Sequence, residues 1–101
     1  MVNQFAVVTL NQLMQMRVNW INENRERILA DAVSDMYDEV INAFVHRGKN
    51  HLMYKVSSEV TNFPAADQII NEIVRDVRII FPDLKFVPLM HQGILTIFVD
   101  V

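Results

Sequence analysis

The chain of 101 residues contains no cysteine, two glycines, three prolines and a single tryptophan. The lack of cysteine excludes disulfides, thiolate catalysis and cysteine-ligated zinc together, and fits a reducing compartment. Average usage would put roughly twelve glycines and prolines in a chain this long. With so few, a disordered tail or linker is not its main character. Gly48 and Gly93 stand far apart, so there is no glycine-rich phosphate loop and no phosphoryl or nucleotide chemistry by that route. The longest apolar runs, such as Phe5 to Val8 and Ile97 to Val99, fall far short of the roughly 20 residues of a membrane span. No basic region leads into an apolar stretch at the start, as a signal peptide requires. These features together predict an intracellular, cytoplasmic protein with no membrane contact. A net charge of −3 argues against capture of nucleic acid by the whole surface and leaves room for a local basic patch.

What is present is a chain 51% apolar and 21% charged. At this length it buries between roughly 60% and 70% of its unfolded surface, enough for one core. No repeat, low-complexity tract or linker divides it, and residues 1–101 read as one α+β domain. Residues 1–8 are an apolar arm or a short edge strand. Thr9 followed by Gln12 has the spacing of a capping box and predicts a helix starting at Leu10. His46 and Arg47 place cations near its last carbonyls and Gly48 suits a left-handed cap, so the helix is expected to span 10–47.

In its second half Val33, Met36, Tyr37, Val40, Ile41 and Phe44 recur at three- and four-residue spacing, with Asp31, Asp35, Asp38 and Asn42 opposite. In its first half Leu10, Met14, Val18 and Ile21 form one stripe while Leu13, Met16 and Trp20 project from other sides, as if burial were needed all round. An unbroken helix over 10–47 would be roughly 57 Å long, against a radius of gyration of about 13 Å for a compact chain of this size. Either the helix breaks in the polar run Asn22 to Arg27, near the caps Asn22 and Asn24, or its first half docks on another chain.

Residues 51–57 alternate, with Leu52, Tyr54 and Val56 on one face and His51, Met53 and Lys55 on the other, and predict a strand. Pro64 suits the first turn of a second helix, 65–81, whose stripe is Ile69, Ile70, Ile73, Val74, Val77 and Phe81. On its wet side Glu72 is placed to pair with Arg75 and Arg78. Strands 85–89 and 94–99 form a hairpin around Met90 to Gly93. Pro88 marks an edge strand, and the last strand, apolar on both sides, a central one. The expected topology is a split β-α-β unit: a three-stranded mixed sheet with the C-terminal strand central and a right-handed helical crossover between the parallel outer strands.

The search for chemistry returns little. His46, His51 and His91 are the only histidines, and nothing fixes their directions toward a common metal. Ser57, Ser58 and Glu59 lack the glycine-flanked elbow of a nucleophile and read as polar residues ending a strand. Asp31, Asp35, Asp38 and Glu39 read as a solvated helix face. No catalytic residue, cofactor or metal is expected. A basic cluster of Arg47, Lys49, His51 and Lys55, with His46, Asn50 and the aromatic Tyr54 beside it, has the composition to hold phosphates and stack a base.

The surplus apolar residues near the N-terminus, Phe5, Val7, Val8, Leu13, Met16 and Trp20, have the composition of an interface centre. The ending Phe81-Pro82-Asp83-Leu84-Lys85-Phe86, with a hairpin closing on Asp100-Val101, resembles the tails of small proteins from large DNA viruses. Over about twenty residues, that resemblance implies a virion or assembly component. The expected function is therefore non-enzymatic: self-association, or docking on a protein partner, through the arm and long helix. A small nucleic-acid-binding accessory protein using the basic loop is the first alternative. An enzyme with a composite site at a subunit interface, a histidine serving as base, is the second.

Overall fold

A computed structural model describes residues 5–101 of the protein. Phe5 to Val8 pair with no strand and so form an arm rather than an edge strand; the first four residues of that expected arm lie outside the described residues. The arm passes alongside the start of the first helix, α1 (Leu10–Ile41), with Val7 and Val8 beside Gln12 and Met16. Thr9 closes the expected capping box. Its N–H donates to Gln12 Oε1 at 2.8 Å, and its hydroxyl accepts from the Gln12 N–H at 3.2 Å.

The polar run Asn22 to Arg27 does not break α1. The Asn24 amide donates back to the Trp20 carbonyl at 2.8 Å, within the same helix, instead of capping a new one. Arg25 meets Glu72 at 2.6 Å and Arg27 meets Glu59 at 2.8 Å, so the run ties α1 to the rest of the chain. Glu72 is thereby taken from the intrahelical pairing expected for it; Arg75 meets Asp76, and Arg78 donates to the Phe86 carbonyl. At 1.5 Å per residue the unbroken helix is about 48 Å long. The molecule measures 63 × 28 × 22 Å with a radius of gyration of 18.1 Å, well above the roughly 13 Å of a compact chain.

Regular α-helix ends at Ile41, short of the expected Arg47. Asn42–His46 forms one wider π turn, in which the Arg47 N–H reaches the Asn42 carbonyl and the Lys49 N–H the Ala43 carbonyl. Gly48, with φ of +62°, makes the left-handed exit. The wide turn sets Ala43 in the core with Phe44 packed against it.

Strand β1 (His51–Lys55) is followed by one more ladder bond, from the Val56 N–H to the Leu95 carbonyl. Ser57 then ends the strand earlier than expected. Its hydroxyl accepts the Glu59 N–H and starts a single helical turn, α2 (Ser58–Thr61), which puts Val60 in the core. Pro64 lies ahead of the next helix rather than in it. Ala65, at φ +57°, leads into α3 (Ala66–Ile80), whose Ile69, Ile70, Ile73, Val74 and Val77 are buried as their spacing predicts. Phe81 stacks on Tyr37 and leans on Phe86.

Strands β2 (Lys85–His91) and β3 (Ile94–Asp100) are longer than expected because the turn between them is tighter: Gln92 and Gly93 alone, both with positive φ, as a type I′ hairpin requires. The strand order is β1-β3-β2 with β3 central. Both ladders are antiparallel, so the sheet is antiparallel throughout rather than mixed; the outer strands run parallel to each other but never pair. On one face Tyr54, Phe86, Ile97 and Val99 join Ile28, Met36, Ile69 and Ile73 in the core beneath α1 and α3. The other face carries His51, Met53, Lys55, Lys85, Val87, Leu89, Thr96, Phe98 and Asp100.

Candidate protein interface

The core-facing side of α1 is set by Ile28, Ala32, Met36 and Val40, one turn apart and all buried. Counting back by fours and sevens from Ile28 gives Ile21, Met14 and Leu10, which lie on the same side of the helix. Ile21 packs on the core, but every described residue before it is exposed. Leu13, Met16 and Trp20 flank that side at spacings of three and four. Asn11, Gln12, Gln15, Asn19 and Asn22 share the opposite side, where Gln15 donates to Asn19 at 2.9 Å. The first three turns are thus amphipathic, with a broad apolar arc, and not apolar all round.

Five of the six residues expected at an interface, Phe5, Val7, Val8, Leu13 and Met16, lie on this projecting segment, Val7 being 91% exposed. Trp20, at 52% exposure, stands where the segment meets the body, its ring 5.7 Å from that of Phe63. The segment brings in Leu10, Met14 and Val18 as well, all exposed. Their spacing places these three on a helix stripe, and only the position of the body shows that nothing covers them. Arg17 is the single charged residue between Phe5 and Asn22.

The basic cluster is only partly assembled. Arg47, Lys49, His51 and Lys55 are exposed around the end of α1 and the first edge of the sheet. Tyr54, expected as a stacking aromatic beside them, is 6% exposed and on the core face. Alternation separates the two faces of β1, and the helices cover the one carrying Tyr54. Its hydroxyl donates to Asp35 at 2.6 Å. Burial, followed by the charge and hydrogen bond of Asp35, raises its pKa above the ordinary tyrosine value. Asp35 therefore binds the sheet to α1 and is not simply part of a solvated face. The aromatic on the open face is Phe98 of β3, between Met53 and Val87.

The histidines do not converge. His51 sits opposite Asp100 at one end of the sheet, His91 opposite Ile94 at the other, and His46 closes the π turn. Among the described residues, no group of three histidines or carboxylates is placed to hold a metal ion. Among them too, no helix is long and apolar enough to cross a membrane. Compared with known protein families, with curated proteins and with solved structures, the chain matches none.

Proposed function

We propose that this is a non-enzymatic assembly protein that self-associates through the arm and the first three turns of α1. One observation carries this reading: an amphipathic helical segment leaves the body with its apolar arc uncovered. Monomers rarely expose contiguous apolar patches beyond a few hundred Å². Here Leu10, Leu13, Met14, Met16 and Val18 are exposed on one side of the projecting helix, with Arg17 among them, while Val7 and Val8 lie beside Gln12, Gln15 and Asn19. Trp and Met are residue types that anchor interface centres.

A second copy fits better than a foreign partner because the segment is nearly uncharged. Arg17 is the one charge on it, and a two-fold pairing of two such segments covers both apolar surpluses at once. A virion component is the setting that the tail's resemblance to proteins of large DNA viruses would suit.

The test is size-exclusion chromatography with light scattering over a concentration series, absorbance being followed at 260 and 280 nm. A dimer or larger particle is expected, with Leu13→Asp and Met16→Asp giving monomers whose thermal transition is unchanged. A wild-type protein that stays monomeric at every concentration overturns the self-association.

A further inference from the structure

The sheet has helices on one face only, and the other face has a particular chemistry. Met53, Phe98 and Val87 lie side by side across the three strands, with Phe98 in the middle. Met53 and Val87 are exposed and Phe98 half-buried between them. Lys55 flanks this apolar row on one side and Lys85 on the other, each on an edge strand. The loop after the π turn brings Arg47 and Lys49 beside Met53 and Phe98, where together they line an open hollow of about 780 Å³.

The ion pairs of the molecule separate this face from the rest of the surface. Arg25, Arg27 and Arg75 each meet a carboxylate, and Arg78 donates to the Phe86 carbonyl. Arg47, Lys49, Lys55 and Lys85 make no ion pair or side-chain hydrogen bond among the described residues. Among the described residues, the lysines and arginines without a partner are therefore Arg17 on the projecting helix and these four, Arg47 and Lys49 beside Phe98 and Lys55 and Lys85 in the strand positions flanking its row. The facing carboxylates are Asp100, between His51 and Lys85, Glu39 at the rim of the hollow, and Asp67, which lines a second hollow with Lys55. Four cations against three carboxylates leave the patch with a small positive excess in a chain of net charge −3.

We infer that this face binds single-stranded nucleic acid, with a base stacked on Phe98 between Met53 and Val87 and phosphates held by Arg47, Lys49, Lys55 and Lys85. Charge complementarity selects an anion, and a flat apolar row about 10 Å wide, three strands across, selects one with planar groups. An acidic peptide would use the cations and leave the ring idle. A duplex offers no unstacked base to a flat sheet. The site lies on the body, apart from the projecting segment, and so stands independently of the assembly reading.

The test is fluorescence anisotropy of labelled oligo-dT and oligo-U, each of about 12 nucleotides, titrated with the full chain. With four phosphate contacts and a single-strand slope of about −0.7 for each, affinity should fall about 50-fold between 50 and 200 mM salt. Lys55→Gln with Lys85→Gln should flatten that slope by about 1.4. Phe98→Leu keeps an apolar side chain and removes the ring; it should weaken binding about five- to 150-fold and leave the slope as it was. Thermal transitions of all variants establish that they fold, and Arg17→Gln should bind like wild type. Repeating the titration with the monomeric Leu13→Asp variant separates a failure of this site from a failure of assembly. The inference is overturned if neither oligonucleotide binds at low salt. It is also overturned if binding is indifferent to Phe98→Leu, or if polyglutamate competes as well as oligo-dT, since the face would then be a general acceptor of acidic polymers.

Discussion

The two ends of α1 carry the same pattern and meet opposite fates. From Ile21 onward, Ile28, Ala32, Met36 and Val40 recur each turn and are buried against the sheet and α3. Before Ile21 the same side carries Leu10 and Met14, and both are exposed. Periodicity identifies the apolar side of a helix; only the position of the remaining chain decides whether that side is covered. A free helical segment of about a dozen residues is marginal in water even with a run of good helix formers such as Gln12 to Arg17. The projecting turns are held instead by the capping box at Thr9 and by continuation from the anchored part. Association that covers the apolar arc would stabilise them further.

The largest effect tests whether the body is one cooperative unit. Removing Phe98 to Val101 takes the end of the central strand, including fully buried Val99, which lies between Leu52 and Phe86 on the outer strands. Such a protein should show no cooperative thermal transition, and an unchanged transition would refute the central role of β3. Next comes a matched pair on one helix side. Met36 is 0% exposed and Met14 44%. Met36→Ala should cost about 2–5 kcal/mol in urea unfolding, whereas Met14→Ala should change monomer stability by no more than about 0.5 kcal/mol. Equal losses would place the first turns of α1 inside the core after all.

Trp20 sits on the boundary and sharpens the comparison. Its contact with Phe63 makes a contribution of about 0.5–1.5 kcal/mol beyond area burial, as aromatic pairs do. Trp20→Ala should therefore lower monomer stability by at least that amount, since the buried half of the ring is lost as well. If Trp20 anchors the assembly, the same change should cost association about 2 kcal/mol or more, roughly a thirtyfold rise in the dissociation constant. Light scattering at graded concentration and urea unfolding at high dilution read the two losses separately. Losses of equal size would assign Trp20 to the body alone.

Much of the body was legible in the residue pattern. The stripe Ile69 to Val77 and the apolar final strand each suffice to fix an element, and the β-hairpin with Pro88 on an edge follows from elementary rules. What could not be read was long-range or too short to be periodic. The polar run Asn22 to Arg27 stays helical between core-packed Ile21 and Ile28, with Arg25 meeting Glu72 and Arg27 meeting Glu59, partners far away in sequence. The single turn α2 has only the hydroxyl of Ser57 to announce it. The exchange of Tyr54 for Phe98 on the open face has the same origin as the contrast within α1. Alternation along β1 gives two faces, and the sheet's helices choose between them.

The smallest effect joins the two ends of that contrast through one hydrogen bond. Tyr54 of β1 donates to Asp35 of α1, beyond the projecting turns, and Tyr54→Phe removes the bond at a cost of about 1 kcal/mol. The pH dependence has a definite sign. Because the folded state raises the Tyr54 pKa above its unfolded value near 10, the folded protein holds this proton where the unfolded chain has begun to lose it. The resulting stability is complete below about pH 10 and declines as pH rises through that value toward the folded pKa. Urea midpoints taken from pH 8 to 11 should fall more steeply for wild type than for Tyr54→Phe, and parallel slopes would mean the phenol is not held by the body. No tyrosine or carboxylate lies between Phe5 and Asn22, so helix pairing should be indifferent to this change. If the segment pairs as proposed, the dissociation constants of the two proteins should agree at pH 8, where both bodies are intact, and any difference would mean that the projecting turns feel the anchoring of the rest of α1.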